Sequence, residues 1–348
     1  YTKCGELSEA QRVFDELPIR NLISWSVLIS GYAQHGQAHE ALDCYELMQT
    51  EGLSPDAVTF TCILKACASI RCIKRGKKIH DDVVNRGLLQ KDNVLGNALV
   101  DMYAKCGEFG KAKEVFLELP VRDVVSWTVL IAGYAQHGYD EEALNYFEGM
   151  KLQGFSPNEV TIVSILKACG SVGALDKGNE VYLSVLQEGF LESNLLVSTA
   201  LVDMYAKCGA VEKAREIFDR ICIRNVALWN AIIGGYAQHG YAREATQCFE
   251  WMQREGLSPN AFTYVYALKA CGTLGSIVKG EEIHNDIRQM KSVGKDTLIG
   301  NALVDMYIKC GAHEKAKEIF DELEVRNVAS WTSLISGYAQ VGNHDVVM

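Results

Sequence analysis

The chain has 348 residues and a formal net charge of −10, from 34 basic and 44 acidic side chains. Its composition, 48% apolar and 22% charged, is close to that of globular proteins and excludes a disordered or collagen-like chain. No run approaches the ~18 uncharged apolar residues that span a bilayer, and the acidic balance argues against a polycation that coats duplex DNA.

The sequence repeats itself. The tetrapeptide Tyr-Ala-Gln-His begins at Tyr32, Tyr134 and Tyr236, a spacing of 102 residues, and each 102-residue unit divides into segments of 35, 36 and 31 residues. Partial segments lie at both ends, so we expect the natural protein to continue in both directions. The predicted segments are 1–21 (partial, 31-residue type), 22–56, 57–92, 93–123, 124–158, 159–194, 195–225, 226–260, 261–296, 297–327 and 328–348 (partial, 35-residue type).

Each segment has the pattern of two helices. In the first complete segment, Trp25, Leu28, Ile29 and Tyr32 form one apolar stripe at helical spacing, and Gly36 follows as a helix end. A second stripe begins after this glycine, and no β-type alternation is sustained along the chain. Two-helix units of 31–36 residues cannot bury their apolar faces alone, so the sequence predicts an all-α fold, an α-solenoid of stacked helix pairs.

The cysteines, histidines and tryptophans follow the same period. The cysteines lack the CxxC pairs of structural zinc, so we interpret them as small packing residues. We interpret the histidines as capping or exposed loop residues and the tryptophans as core. The sets are Cys4, Cys106, Cys208 and Cys310; Cys67, Cys169 and Cys271; His35, His137 and His239; and Trp25, Trp127, Trp229 and Trp331.

No motif for a nucleophile, a phosphate-binding glycine loop or a catalytic metal occurs in the sequence. We therefore predict no catalytic site, no metal site and no cofactor in these repeats. The function has to be sought in positions that vary while their surroundings repeat.

The fifth residue of each segment is such a position. In the 35- and 31-residue segments it is a short hydrogen-bonding residue, and in the 36-residue segments it is Thr or Val. The fifth residues are Ser26, Thr61, Asn97, Thr128, Val163, Thr199, Asn230, Val265, Asn301 and Thr332. Asn, Ser and Thr early in a helix cost several tenths of a kcal/mol relative to Ala, so helix propensity does not explain them.

The last residue of each segment is always Asp or Asn. These residues are Asn21, Asp56, Asp92, Asp123, Asn158, Asn194, Asn225, Asn260, Asp296 and Asn327. One explanation is an N-cap for the following helix, worth about 1 kcal/mol over Ala. The alternative is that the fifth and last residues together form a polar ladder that reads successive unstacked bases, because Asn donates and accepts while Asp only accepts.

The chain resembles the pentatricopeptide-repeat proteins of plant organelles, specifically the PLS class, whose P, L and S repeats have 35, about 36 and 31 residues. The resemblance covers the whole chain. It rests on Ser-Trp-Thr-Val-Leu-Ile at 126–131, Val-Thr at 160–161 with Leu-Lys-Ala-Cys at 166–169, and Gly-Asn-Ala-Leu-Val-Asp-Met-Tyr-Ala-Lys-Cys-Gly at 96–107. It implies a right-handed superhelix that binds single-stranded RNA, one base per repeat.

In that family the fifth and last residues of a repeat select the base, and the RNA runs 5′ to 3′ from the N-terminal repeat. The resemblance implies G for Ser26 with Asp56, U for Asn97 with Asp123, A for Thr128 with Asn158 and for Thr199 with Asn225, and a pyrimidine for Asn230 with Asn260 and for Asn301 with Asn327. A purine rests on Thr332 alone, and the L repeats discriminate weakly. The implied site is 5′-GNUANAYNYR-3′.

Two further sets of residues are implied by the resemblance. The second residue of each repeat would clamp the bases, although Ala227 and Ala329 are small, and a helix-start packing contact is the alternative. These residues are Ile23, Val58, Val94, Val125, Val160, Leu196, Ala227, Phe262, Leu298 and Ala329. Lys3, Lys105, Lys207 and Lys309 would contact phosphates, or else are solvated lysines at helix ends favoured by the helix dipole.

The resemblance also implies a role in C-to-U editing of transcripts in the mitochondrion or chloroplast, with a deaminase domain C-terminal to such repeats and a small editing-factor protein bound through L repeats. A tetratricopeptide-like protein-binding scaffold is the main alternative, but its 34-residue period does not match. A designed scaffold is a third alternative, but the copies differ from one another at many positions, which favours a natural sequence.

Overall fold

The computed structural model describes residues 1–289 and 296–340, with side chains to residue 339. Each complete repeat contains two longer helices joined by a short turn. The first helix has 13 or 14 residues. The first helices are Leu22–Gln34, Ala57–Ser69, Asn93–Lys105, Val124–Gln136, Glu159–Val172, Leu195–Lys207, Val226–Gln238, Ala261–Leu274, Thr297–Lys309 and Val328–Gln340.

The second helix accounts for the difference in repeat length. It has 13 residues in the 35- and 36-residue repeats, namely Ala38–Thr50, Ile73–Asn85, Asp140–Leu152, Leu175–Gln187, Ala242–Arg254 and Ile277–Gln289. In the 31-residue repeats it is shorter, namely Leu7–Asp15, Phe109–Glu118, Val211–Arg220 and His313–Glu322. A 3-10 turn, Thr2–Cys4, and a four-residue helix, Phe190–Ser193, complete the described elements.

Local sequence sets the ends of the first helices. Each begins directly after the Asp or Asn that closes the preceding segment. In the complete 35-residue repeats a histidine follows the helix as its C-cap, and the next residue is a glycine with positive φ, as at Gly36 (78°) and Gly138 (77°). Glycine tolerates this left-handed conformation because it has no Cβ, so the chain can turn there into the second helix.

The chain forms two compact units, Tyr1–Ala168 and Cys169–Met348. In the first unit, the helices Leu22–Gln34, Ala57–Ser69 and Asn93–Lys105 each pack against the second helix of their own repeat and against the first helix of the next repeat. The backbones approach closely at Gly133, where an added Cβ would lie 2.6 Å from the Ala104 Cβ. The core contains Trp25, Phe60 and Tyr103, each at most 2% exposed.

The second unit is built in the same way. Gly235 stands at the position of Gly133, and an added Cβ there would lie 2.5 Å from the Ala206 Cβ. Tyr205, Trp229 and Tyr264 are buried in its core. The predicted all-α architecture of stacked helix pairs is therefore confirmed in each unit.

Most of the periodic residues lie where the sequence predicts. Cys67, Cys169 and Cys271 are buried, Cys106, Cys208 and Cys310 are half-buried, and Cys4 is exposed, so Cys4 is not a packing residue. Three tryptophans are buried, whereas Trp331, in the last described helix, is 49% exposed and packs edge-on against Phe320. His35, His137 and His239 are the C-cap residues of their helices.

Among residues 1–289 and 296–340, no helix combines the length and the apolar character that crossing a bilayer would need. The same part of the chain holds no group of three or more His, Cys, Asp or Glu side chains arranged to bind a metal ion.

Candidate nucleic-acid interface

The last residues of the repeats are N-caps. In the 35- and 31-residue repeats, the side-chain oxygen accepts from the amide of the third residue of the next helix, as in Asn158 Oδ1 from Thr161 N (3.0 Å) and Asp123 Oδ1 from Ser126 N (2.8 Å). The same bond occurs at Asn21, Asp56, Asn225, Asn260 and Asn327. The capping explanation of these residues is confirmed, and the bond also fixes their orientation.

The 36-residue repeats end differently. Asp92 and Asn194 each accept from the amides of the second and third helical residues, and Asp296 accepts from the second, Leu298 N, at 2.8 Å. The backbone ψ angles of these three residues are 97–117°. In the other repeat types ψ is 172–178° at Asn21, Asp56, Asp123 and Asn225. The last side chain is therefore held in another orientation in this repeat type.

An asparagine in fifth position contacts the last residue of its own repeat directly. Asn97 Nδ2 donates to Asp123 Oδ1 (3.4 Å), and Asn230 Nδ2 donates to Asn260 Oδ1 (3.0 Å). Asn301 Nδ2 donates to Asn327 Oδ1 at 3.2 Å. Residues about 26–30 positions apart in sequence thus meet as side-chain pairs, within the repeat in which the resemblance places them together.

In the two 35-residue repeats with a complete pair and a hydroxyl in fifth position, this hydroxyl reaches the last residue through a third side chain. Ser26 Oγ lies 2.8 Å from Thr59 Oγ1, which donates to Asp56 Oδ1 at 2.7 Å. Thr128 Oγ1 lies 2.7 Å from Thr161 Oγ1, which is 3.0 Å from Asn158 Oδ1. The bridging threonine is the third residue of the following 36-residue repeat.

The fifth and last residues of the 36-residue repeats engage different partners. The hydroxyl of Thr61 donates to Ala57 O (2.8 Å), while Asp92 caps the next helix. Val163 and Val265 are half-buried and have no polar group to offer. Among the described residues, the structure therefore brings together the pairs of the complete 35-residue repeats and, in the 31-residue repeats, the pairs with Asn in fifth position. Within the same part of the chain, the pair of Thr199 with Asn225 and the pairs of the 36-residue repeats are not joined.

The side chains of the fifth residues are largely shielded from solvent. Asn97 and Thr128 are each 7% exposed and Thr61 is 9% exposed, whereas Ser26 and Asn230 are half-buried. The first three are covered because their polar atoms turn toward the last residue, a neighbouring threonine or the helix backbone. The last residues are half-buried or exposed.

The second residues stand out from the surface. Ile23 is 72% exposed, Leu196 63% and Phe262 57%, and Ala227 and Ala329 are exposed too. Val58, Val94, Val125, Val160 and Leu298 lie between 43% and 64%. The alternative that these residues are helix-start packing contacts is therefore wrong. Exposed side chains therefore recur at the same place in every described repeat, and most of them are large and apolar.

Asp123 illustrates the electrostatics of a last residue that contacts its fifth residue. Burial raises the pKa of its carboxyl, but hydrogen bonds from Ser126, Asn97 and Asn93 outweigh burial and hold the pKa below its ordinary value. Asn93 Nδ2 donates to Asp123 Oδ2 at 2.7 Å. The group is therefore a carboxylate at neutral pH, and it can only accept hydrogen bonds.

The periodic lysines are not free cations. Lys105, Lys207 and Lys309 end their helices and pair with aspartates four residues earlier, at 2.6–2.8 Å. Their side chains remain 41–44% exposed. Lys3 is exposed in the 3-10 turn. Such i,i+4 pairs are weak, so a phosphate could compete for these ammonium groups.

Sequence reasoning missed the bridging threonines. Thr59, Thr161 and Thr263 are completely buried, and Thr263 Oγ1 donates to Asn230 Oδ1 at 2.6 Å. A signal was present, because all three 36-residue repeats carry Thr in third position although it is not a favoured helix residue. Asn93 was also missed, and nothing in the period points to it.

The sequence matches family models along most of its length. Residues 20–69, 122–171 and 224–273 match a model described as the PPR repeat family. Residues 97–124, 197–226, 301–328 and 329–348 match a model described as the PPR repeat.

Curated relatives are pentatricopeptide repeat-containing proteins of Arabidopsis thaliana. A chloroplastic one is 37% identical over 98% of this chain and 55% of its own length. Another chloroplastic one is 36% identical over 98% of this chain and 42% of its own. A mitochondrial one is 34% identical over 99% and 50%. The chain thus spans about half the length of the curated relatives it matches.

Solved structures share the fold. The pentatricopeptide repeat protein PPR10 in complex with an 18-nucleotide psaJ RNA element covers 97% of this chain and 51% of its own, with a TM-score of 0.81 and 18% identity. PPR10 from maize covers 99% and 61%, with a TM-score of 0.56 and 19% identity. From the family models and the shared architecture, the chain belongs to the PPR repeat family, and it is related to plant organellar members of that family.

Proposed function

We propose that this chain binds single-stranded RNA sequence-specifically, with one base per repeat. The observation that carries the proposal recurs in the 35-residue repeats 22–56, 124–158 and 226–260 and in the 31-residue repeats 93–123 and 297–327. In each of them the Asp or Asn that caps the next first helix is joined to the fifth residue, directly or through a threonine, and the second residue is exposed. The similarity in fold to PPR10, solved with an RNA element, supports the same conclusion.

The cap bond explains how the last residue would distinguish bases. Because the oxygen of Asn158 or Asn260 must face the helix amide to accept its hydrogen, the side-chain NH₂ group is left for another partner. When the residue is Asp123 or Asp56, the second carboxylate oxygen takes that place. An Asn that caps the helix thus offers a hydrogen-bond donor to the RNA, and an Asp that caps the helix offers an acceptor.

The Watson–Crick edges of the bases divide along the same line. Adenine and cytosine carry an unprotonated ring nitrogen there, and guanine and uracil carry a ring N–H. A helix-capping Asn can therefore donate to A or C, and a helix-capping Asp can accept from G or U. Proteins read unpaired bases through hydrogen bonds on these edges. The size and polarity of the fifth residue would then separate purines from pyrimidines.

This rule agrees with the site that the resemblance implies, 5′-GNUANAYNYR-3′, at the nucleotides assigned as G, U, A and A. The four described repeats with a complete pair and a full assignment start at residues 22, 93, 124 and 195. The 36-residue repeats are unassigned because their last residues are oriented differently and do not contact the fifth residue. We propose on this basis that the repeats are of the P, L and S types and that the L repeats discriminate little.

The second residues would hold the bases. A base inserted between two of them would cover apolar area that is now exposed, such as Ile23 at 72% and Phe262 at 57%. Each Å² of apolar surface removed from water contributes about 25 cal/mol, and stacking on an aromatic ring contributes about 1–3 kcal/mol per base. Ala227 and Ala329 would contribute least, because their side chains are small.

The setting we propose is an organelle. The relatives' names place them in chloroplasts or mitochondria, and the PLS resemblance points to target recognition in C-to-U editing of transcripts. In that role the repeats choose the transcript, and the deamination itself is supplied by residues outside this chain or by a partner. An editing-factor protein that binds the 36-residue repeats is the partner that the resemblance suggests.

The proposal is tested by fluorescence anisotropy with two labelled RNAs. One carries 5′-GNUANAYNYR-3′ with N as U and the specified bases filled in, and the other has purines and pyrimidines exchanged at the seven specified positions. The wild-type chain should bind the first at least tenfold more tightly at about 0.15 M salt, since affinities depend strongly on ionic strength. Equal affinity for both RNAs would refute base reading.

A further inference from the structure

The third residue of each 36-residue repeat occupies an unusual place. Thr59, Thr161 and Thr263 are fully buried, yet each hydroxyl lies between two polar side chains of the preceding 35-residue repeat. Those two side chains are the fifth and last residues of that repeat. The hydroxyl therefore belongs to one repeat in sequence and to the reading pair of the previous repeat in space.

The hydrogen bonds show what the hydroxyl does at Asn230. Asn260 Oδ1 accepts from Thr263 N and from Asn230 Nδ2, and the Thr263 hydroxyl lies 3.0 Å from Asn260 Oδ1 and only 2.6 Å from Asn230 Oδ1, its shorter contact. This bond fixes which face of the Asn230 amide carries the oxygen, because the reversed amide would set its NH₂ group against the hydroxyl hydrogen. The amide orientation is thereby settled before a base arrives.

The 31-residue repeats provide the contrast. Asn97 and Asn301 also donate to their last residues, but the Oδ1 atom of each is buried with no hydrogen-bond partner among the described residues. There the third residue of the next repeat is serine. Ser126 Oγ donates to Asp123 O, and Ser330 Oγ to Asn327 Oδ1.

A second contrast comes from the two repeats with the pair Thr and Asn. Thr128 lies 2.7 Å from Thr161 Oγ1, which contacts Asn158. Thr199 donates only to Leu195 O in the described structure, and the third residue that follows its repeat is Leu228. The two pairs have the same side chains, so the bridge is the difference between them.

We propose that Thr59, Thr161 and Thr263 are positioning residues that set the base preference of the preceding 35-residue repeat. The inference rests on the proposed RNA-reading function. It gives the 36-residue repeats a role in recognition through their third residue even though their own fifth and last residues do not meet. It also predicts that repeat 124–158 discriminates its base more sharply than repeat 195–225.

The buried hydroxyl orients the pair by hydrogen bonding, and the loss of one such bond should weaken discrimination about three- to tenfold. The test compares Thr161→Val with Thr161→Ser in the full chain. Affinity is measured for RNAs that carry A or G at the fourth nucleotide, the base assigned to repeat 124–158. Circular dichroism verifies folding of both variants.

Thr161→Val should lower the A-over-G ratio at the fourth nucleotide and leave the ratio at the sixth unchanged, and Thr161→Ser should retain it. Ser126→Ala is the matched control, because that hydroxyl caps the helix without contacting Asn97, so base choice at the third nucleotide should persist. An unchanged ratio in Thr161→Val, or equal losses at all nucleotides, would overturn the inference alone. A wild-type chain without any A-over-G preference would overturn the proposed function and the inference with it.

Discussion

Replacing Asn158 by Asp isolates the cap-based reading of bases. Asn158 Oδ1 accepts from Thr161 N and lies 3.0 Å from Thr161 Oγ1, and a carboxylate oxygen can accept both hydrogens. Asp and Asn are equally good N-caps, so the helix and the fold should be preserved. Only the outward group changes, from an NH₂ donor to a carboxylate oxygen.

The magnitude follows from the bonds exchanged. With adenine at the fourth nucleotide, the variant loses one hydrogen bond and sets an acceptor against the ring nitrogen. With guanine it gains a charge-assisted hydrogen bond from the ring N–H, worth about 1.5–3 kcal/mol. The A-over-G preference should therefore shift toward G by about 2–3 kcal/mol, which is about 30- to 150-fold.

The assay measures the ratio of the dissociation constants for the two RNAs by fluorescence anisotropy. The ratio is informative because an added negative charge lowers the affinity for every RNA equally. Asn194→Asp is the matched control, since this residue ends a 36-residue repeat whose fifth residue is Val163. A shift of equal size in Asn194→Asp, or none in Asn158→Asp, would refute the reasoning.

Three further outcomes are expected. Phe262→Ala should lower RNA affinity at least fivefold, or about 1 kcal/mol, by removing a stacking surface that is 57% exposed. Gln153→Glu should stabilise the fold by about 1 kcal/mol and so raise the urea midpoint, since it replaces an amide by a carboxylate, a stronger acceptor for the buried Trp127 Nε1, which has no partner among the described residues. Burial lowers the pKa of His80 and His284, so stability should be full above pH ~6.5 and fall as the pH drops through it.

Each of these has its own control. Val278→Ala, an exposed apolar residue on a second helix of the same repeat as Phe262, should leave RNA affinity unchanged; an equal loss would contradict the clamping role. For Gln153→Glu the precedent is internal, since Trp25 donates to Glu51 and Trp229 to Glu255, and an unchanged midpoint would contradict it. The double variant His80→Gln and His284→Gln should lose less stability at low pH than the wild type. If the variant loses as much stability as the wild type, other groups cause the acid sensitivity.

The fold could be predicted from the sequence because its signals are local and repeated. The stripe that begins at Trp25 recurs in each copy, and the residues that open the segments are those at which the first helices begin. Asp or Asn before a helix and glycine after it act over one turn, so neighbouring residues suffice to place the ends. The half-exposed Trp331 was not foreseen, because its burial depends on contacts beyond its own helix.

The site was only partly predictable. The period placed the second, fifth and last residues correctly at the helix starts, but periodicity is silent on side-chain direction. It could not show that Asn97 turns toward Asp123 or that Ile23 stands in solvent. Thr161 was overlooked because its role arises in contact with the preceding repeat, which becomes visible only when the two first helices are packed together.

The central claim is that the helix-capping Asp and Asn side chains, together with the fifth residues, recognise the bases of an RNA strand repeat by repeat. Selection of bound sequences from a randomised 16-nucleotide RNA pool, followed by sequencing, tests it most directly. We predict enrichment of G, U, A and A at positions 1, 3, 4 and 6 of a ten-nucleotide window, pyrimidines at 7 and 9, and weak preference at 2, 5 and 8. A flat profile, or strong preference at the positions of the 36-residue repeats, would contradict the account.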